Sequence, residues 1–257
     1  VVKLDLNNAL IPYYTFADPN PDFSKKLVVA SFEAGADAVE LGIPFSDPIA
    51  DGPVIQASHQ RALEKHPDLT IKDALALVAD VKTFIFKPLL FMMDANLILQ
   101  FGVEGFFKSA HKAKLDGVII PNLPVEEADE FQKFAKQYKI AMILLVSPMS
   151  DEKRVKKIAK ASSGFVYLIS STGTTGERAT ISKGLNVIAK QIKKVKDIPV
   201  IVGFGVSKPE HFEAICKYAD GAIVGTHFIK LMEPLLKTPE KAIQKVVNRI
   251  KKIKAAV

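Results

Sequence analysis

The chain has 257 residues, 48% hydrophobic and 25% charged, with 14 glycines and 15 prolines. Such a composition excludes collagen-like, low-complexity and disordered chains and calls for a large packed core. The formal net charge of +7 raises nucleic acid or an anionic substrate as partners, and composition does not choose between them.

Eight short apolar runs rich in β-formers alternate with longer segments of helical period. In chain order they are Ala9 to Phe16, Ala38 to Gly42, Pro88 to Met93, Gly117 to Pro121, Ala141 to Val146, Phe165 to Ser170, Pro199 to Phe204 and Gly221 to Gly225. This is the pattern of repeated βα units around a parallel sheet. Extra chain after the second run holds Pro44 to Gln56, and long βα loops on a barrel belong to its active-site end. Beyond the sixth run, Leu185, Ile188, Ala189, Ile192 and Val195 fall on one helical face, with Ser182 placed as N-cap. Ser207 to Glu210 reads as a capping box with Pro209 in the first turn, and Thr226 to Met232 as a short extra helix. The last helix has Thr238 as cap, Pro239 at its first position and a stripe of Ile243, Val246, Val247, Ile250 and Ile253. Its Lys251, Lys252 and Lys254 suit the negative end of the helix dipole.

Eight such units without a Pro/Gly/Ser-rich linker predict an α/β fold: one (β/α)8 TIM barrel with extra helices, a single domain over residues 1–257. The first run lacks a G-x-G-x-x-G turn, which removes support from an open dinucleotide-binding sheet. Cys216 is the only cysteine; it excludes an intrachain disulfide framework, fits a reducing compartment and reads as helix packing. The longest charge-free stretch, Ala161 to Gly176, is broken by Ser, Thr and Gly and falls short of the roughly 18 apolar residues of a membrane span. No initiator Met or leader is present, so a removed targeting segment would leave no trace. The +7 charge is expected on solvated helix faces, since no aromatic platform or nucleic-acid motif accompanies it.

In the second run, Val39 and Leu41 would face the helices, which places Glu40 inward near the end of a strand. Desolvation there would raise its pKa and fit it for proton transfer near neutrality; an ion-paired core glutamate is the equal alternative. Asp47 and Asp51 follow among turn formers, the ordinary mark of a surface loop. Asp51 can nevertheless return over the barrel mouth as a second carboxylate. Glycine-bearing turns follow the sixth, seventh and eighth runs: Ser171 to Gly176, Gly203-Phe204-Gly205 and Gly225-Thr226. Barrel phosphate sites are built there from backbone amides and a short helix.

These residues resemble the α chain of tryptophan synthase. The stretch from Asp37 to Gln56, through Glu40-Leu41-Gly42-Ile43-Pro44-Phe45-Ser46-Asp47-Pro48 and Ala50-Asp51-Gly52-Pro53, is similar to that family's signature nearly throughout. Support extends through Ile11 to Thr15, Ala95-Asn96, Leu123 to Glu127, Tyr167-Leu168, Thr175-Gly176, Gly203 to Gly205 and Gly225-Thr226.

The resemblance implies retro-aldol cleavage of indole-3-glycerol phosphate to indole and glyceraldehyde 3-phosphate, with no metal or organic cofactor in this chain. It implies Glu40 as general acid/base and Asp51 as acceptor of the indole N–H. Gly176, Gly205, Gly225 and Thr226 would form the phosphate cradle, and Tyr13, Ile55, Tyr167, Thr175 and Phe204 the substrate-lining shell, although core packing serves Tyr167 and the apolar members equally well. It also implies a pyridoxal-phosphate β chain receiving indole in an αββα assembly, with Asp47, Asn96 and Pro124 near the interface. A loop around Thr175 to Arg178 would close over substrate. The expected location is cytoplasmic, or plastid stroma had a transit peptide been removed. Asp94, Asn122, Ser171, Thr174 and Ala17 depart from the usual pattern. They leave room for a second reading, a catalytically weak chain acting mainly as allosteric activator of the β partner.

Overall fold

The computed structural model describes residues 2–49, 51–170, 184–203 and 205–257. Eight parallel strands, β1 (Ala9–Thr15), β2 (Val39–Gly42), β3 (Leu89–Met92), β4 (Gly117–Ile119), β5 (Ala141–Val146), β6 (Val166–Ile169), β7 (Val200–Gly203) and β8 (Gly221–Val224), close into a barrel in sequence order. All eight lie within the predicted runs. The residues trimmed from run ends include Pro88, Pro121 and Pro199, which have no N–H to give a ladder.

The helices are α1 (Pro21–Glu33), α2 (Pro53–Lys65), α3 (Ile71–Val81), α4 (Ala95–Phe101), α5 (Val103–Lys112), α6 (Asp129–Gln137), α7 (Glu152–Ala161), α8 (Leu185–Val195), α9 (Pro209–Cys216), α10 (Thr226–Met232) and α11 (Pro239–Lys254). The long interval between the second and third strands is therefore a loop followed by two helices, α2 and α3. Among the described residues, no helix is long and apolar enough to cross a membrane.

Strand alternation divides the core in two. Leu10, Val39, Leu41, Phe91, Val118, Leu144, Leu168, Val202 and Val224 face outward and pack with the helices. In that layer Phe91, Phe106, Phe107, Phe212 and Phe228 are wholly buried, each worth roughly 1.5–3 kcal/mol of transfer free energy. Ile11, Tyr13, Ala38, Leu90, Ile119, Ile143, Tyr167, Ile201 and Ile223 fill the barrel interior, with Leu4 and Leu6 packed among them.

The floor, at the N-terminal ends of the strands, repeats one device four times. Asp37, Asp116, Ser163 and Asp220, each just before an even-numbered strand, accept the backbone N–H of Leu10, Leu89, Met142 and Val200 at 2.8 Å. Each returns its own N–H to the carbonyl of the same residue, at 2.8–3.1 Å. The three aspartates also bind lysines: Lys254 on Asp37, Lys82 on Asp116 and Lys193 on Asp220. The lysines are thus not all on solvated helix faces, and Lys82 is buried.

Two helix starts differ from expectation. The first residue of α9 is Pro209, whose ring holds the preceding Lys208 extended at φ −132° and ψ 152°. Lys208 is therefore the N-cap and Ser207 is not, so the expected capping box does not form. The N-cap of α8 is Gly184 at φ +106°; Ser182, expected in that place, lies outside the described residues. Thr238 does cap α11 with Pro239 following, but its hydroxyl donates back to the Leu235 carbonyl. Cys216 ends α9 half-buried against the outer layer, as helix packing requires.

Candidate active site

Glu40 sits on β2 between outward-facing Val39 and Leu41, level with Tyr13 on β1 and Leu90 on β3. Its side chain is completely buried, and neither carboxyl oxygen has a hydrogen-bond partner among the described residues. The ion-paired alternative is thereby not the arrangement found. Burial, and after it the charge of Asp51, pushes the Glu40 pKa up to about 8.

The loop after β2 brings Asp51 over the same opening. Ile49 N–H donates to the Asp47 carbonyl and Asp51 N–H to that of Pro48, so the chain turns twice in succession. Pro53 then starts α2 at a position where its missing N–H leaves no bond unmade. Gln56, one turn into that helix, donates its side-chain amide to the Asp51 carbonyl at 2.9 Å. Asp51 ends up 9% exposed, and burial pushes its pKa up to about 7.

His59, which sequence reasoning passed over, lies on the inward face of α2 one turn beyond Ile55. Its Nδ1 accepts the Phe45 backbone N–H at 3.1 Å, and its Nε2 is 3.1 Å from the Tyr13 hydroxyl. Asp51 Oδ2 is 3.8 Å from Nε2, within ion-pair reach but too far for a hydrogen bond. Burial lowers the His59 pKa to about 4, so near neutrality the ring is uncharged and makes no ion pair with Asp51.

A cleft of about 610 Å³, open on one side, gathers Tyr13, Glu40, Asp51, Ile55, Tyr167, Gly205, Gly225 and Thr226. Every predicted site residue within the described regions therefore lines one opening. Thr175, Gly176 and Phe204 lie outside those regions, as do Ser171, Thr174 and the Thr175 to Arg178 segment. Met92, Ile169, Val206 and Ile223 add apolar wall. Sequence reasoning missed them, although the three strand residues are signalled by inward alternation. Two glycines make the cleft possible: a Cβ on Gly42 would overlap the Tyr13 hydroxyl, and one on Gly203 the Tyr167 ring. Gly225 caps α10, whose first residue is Thr226, so a helix N-terminus meets the cleft.

A smaller cavity of about 380 Å³ shares Tyr13, Asp51 and Met92 and runs past His59, Pro48 and Ile49 to Asp94 and Asn122. Those last two, both unusual for the resembled family, meet each other. The Asn122 side-chain amide donates to Asp94 Oδ2 and its oxygen accepts from Ala95 N–H, both at 2.9 Å, while Asp94 Oδ1 accepts from Asn96 N–H. Asp47, Asn96 and Pro124 follow β2, β3 and β4 on this same rim, the first two exposed.

Comparison with known proteins agrees with this geometry. The sequence model of the tryptophan synthase alpha chain matches residues 2–257. The tryptophan synthase alpha chain of Halalkalibacterium halodurans is 42% identical over 91% of this chain and 89% of its own length. That of Carboxydothermus hydrogenoformans is 39% identical over 96% and 93%. Among solved structures, a chain of the Pyrococcus furiosus tryptophan synthase a2b2 complex superposes with a TM-score of 0.89 at 35% identity, covering 97% of this chain and 99% of that one. A chain of Mycobacterium tuberculosis tryptophan synthase gives 0.87 at 30% identity, covering 98% and 93%. With its barrel, its two mouth carboxyls and these relatives taken together, the chain belongs to the tryptophan synthase alpha chain family.

Proposed function

We propose that the chain, one barrel domain over residues 1–257, is a lyase that cleaves indole-3-glycerol phosphate to indole and glyceraldehyde 3-phosphate. The observation that carries this reading is Glu40, a buried carboxyl without a partner at the open end of the barrel. With its pKa pushed up to about 8, Glu40 is protonated at neutral pH. It can give that proton to indole C3, which otherwise leaves as a poor carbanion. As a carboxylate it then takes the side-chain hydroxyl proton while the C–C bond breaks and the carbinol becomes an aldehyde. The carboxyl ends as it began, so one group serves both transfers.

Asp51 accepts the indole N–H as a carboxylate and balances positive charge on the protonated ring. Tyr13, Ile55 and Tyr167 hold the ring, with Thr175 and Phe204 in the same shell. Gly205, Gly225 and Thr226, with Gly176, offer amides to the phosphate, so no lysine is required there. The Thr175 to Arg178 segment would gate the cleft rather than do chemistry. No metal or organic cofactor is assigned to this chain; pyridoxal phosphate belongs to the β partner, where it supplies the chemistry that consumes indole. The αββα arrangement, with Asp47, Asn96 and Pro124 at the interface, and a cytoplasmic setting are parts of the same reading. The bacterial relatives give a plastid location no support.

Glu40→Gln tests it, with indole release measured on the chain alone and with added β chain. Loss of turnover by about 10²–10⁴-fold with substrate binding retained is expected, and retained turnover rejects the assignment. In the unaltered chain, kcat/KM should peak between the two ionisations, because Asp51 must lose its proton near pH 7 and Glu40 keep its own below about 8. An unaltered chain that stimulates β yet releases no indole would instead favour the activator reading.

A further inference from the structure

The four corners of the floor are not equivalent. At three of them the acceptor before the even-numbered strand is an aspartate that also binds a lysine. That lysine stands at or near the end of the helix next to the partner strand: Lys82 after α3 for β3, Lys193 in α8 for β7 and Lys254 in α11 for β1. At the fourth corner the acceptor is Ser163, whose hydroxyl receives the Met142 N–H and carries no charge. The helix leading into the partner strand β5 is α6, and its end still brings lysines, Lys136 and Lys139. With Lys160 from the end of α7 and Lys196 from that of α8, they line an open cavity of about 1200 Å³ that also reaches Lys3, Met142 and Ser163. No aspartate or glutamate lines it. Lys3 is held by Asp197 at 3.2 Å. Lys196 donates only to main-chain carbonyls, those of Ser162 at 2.5 Å and Lys160 at 3.1 Å, and burial lowers its pKa. Lys136, Lys139 and Lys160 are exposed and make no ion pair among the described residues.

Lysines at helix ends ordinarily answer the negative ends of the dipoles, and that accounts for part of this charge. The ends of α6, α7 and α8 contribute about half a negative charge each, and Asp197 adds one more. Against the five ammonium groups around the cavity, this leaves an excess of roughly two to three positive charges on one concave surface. We infer that this corner is an anion site: a small molecule carrying two or more phosphate groups binds among Lys136, Lys139, Lys160 and Lys196 and supplies the negative charge that aspartates supply at the other three corners. Ammonium groups on flexible stems act as point charges suited to phosphate oxygens, and an excess of this size calls for more than one phosphate. The site lies at the opposite end of the barrel from Glu40 and does not depend on the lyase reading.

Calorimetric titration of the whole chain with inorganic tripolyphosphate, set against inorganic phosphate at equal ionic strength, tests this. One saturable site is expected, with tripolyphosphate bound about tenfold or more tightly than phosphate. Ser163→Asp completes the corner from within. It should raise the thermal midpoint of the free chain, weaken tripolyphosphate binding by about tenfold and remove most of the rise in midpoint that the anion gives the unaltered chain. The double variant Lys136→Gln, Lys160→Gln alters only exposed side chains. It should weaken binding by about tenfold with little change in the free chain's midpoint, and it decides the matter if the Ser163 variant folds poorly. Absence of saturable binding by the unaltered chain overturns the inference. So does binding that neither variant weakens, which would place the anion elsewhere, at the amides of the cleft for instance.

Discussion

At the floor of the barrel, Asp37, Asp116 and Asp220 each accept a backbone N–H at 2.8 Å and hold a lysine ammonium within 2.9 Å. At the mouth, just three residues beyond Asp37, Glu40 is more deeply buried than any of them and its carboxyl oxygens hold no partner among the described residues. The same functional group is thus stabilised at one end and left uncompensated at the other. The floor carboxylates are part-buried and each has an amide and a cation as partners, whereas a wholly buried carboxyl without them retains its proton toward neutral pH. The floor ties neighbouring strands together, and the mouth holds a carboxyl whose proton, on the proposed reading, is the one transferred. The glycines differ in the same sense. Gly42 and Gly203, at strand ends, leave room for the Tyr13 and Tyr167 rings that line the cleft, while a Cβ on Gly117 at the start of β4 would meet Ile143 and Ala141 of the neighbouring strand.

The largest effect is expected where the floor is broken. Asp116→Ala leaves the Lys82 ammonium, almost wholly buried, with only the Lys87 carbonyl, and takes the acceptor from Leu89 N–H. Loss of one partner of such a pair costs about 3 kcal/mol, read as a lower midpoint in urea unfolding. Asp116→Asn, which keeps an oxygen for Leu89, should lose less. If Asp116→Ala leaves the midpoint unmoved, the floor carboxylates are not structural.

A substitution at the mouth should act in the opposite direction. The folded-state pKa of Glu40 is raised to about 8 from 4.5, so the folded chain binds its proton more tightly than the unfolded chain does. That contribution is complete below about pH 4.5 and is lost as pH rises through 8. Glu40→Gln has no charge to bury and should stabilise the chain at pH 9 by a few kcal/mol, with a much smaller difference at pH 5. Equal unfolding midpoints for the two chains at pH 9 would show that the carboxylate is compensated after all.

How far the sequence discloses these two ends differs with the range of the interactions. Glu40 is legible because a charge interrupts an apolar run at an inward position, and Asp51 because its loop follows that run. His59 had a local signal that went unused: Ile55, His59 and Ala62 share the buried face of α2. The floor clamps have no local signal. Their partners lie 27, 27, 21 and 20 residues apart, and only closure of the barrel brings an acceptor before one strand to the amide of another. Lys82 likewise reads as a surface cation until Asp116 arrives beside it. The capping box at Ser207 was misread for a local reason, since a proline dictates the conformation of the residue before it. Asp94 and Asn122, two separate departures from the family pattern, become one hydrogen-bonded unit only across the ends of β3 and β4.

Backbone strain provides the smallest test and limits the contrast to charge. Ala17, where the family customarily has glycine, adopts φ +62° in the loop after β1, on the mouth side. Lys114 adopts the same φ after α5, on the floor side. Left-handed backbone costs a residue with a Cβ roughly 1 kcal/mol or more, partly offset by the greater freedom glycine loses on folding. Ala17→Gly and Lys114→Gly should therefore each raise stability by about 0.5–1 kcal/mol, seen as similar rises in thermal midpoint. Ala17 N–H accepts no rearrangement in this change, since it already donates to Ser24 Oγ at 2.9 Å and glycine keeps that bond. A gain at Ala17 alone would mean that the mouth carries backbone strain as well as uncompensated charge, whereas equal gains would leave the carboxyl groups as the difference between the two ends.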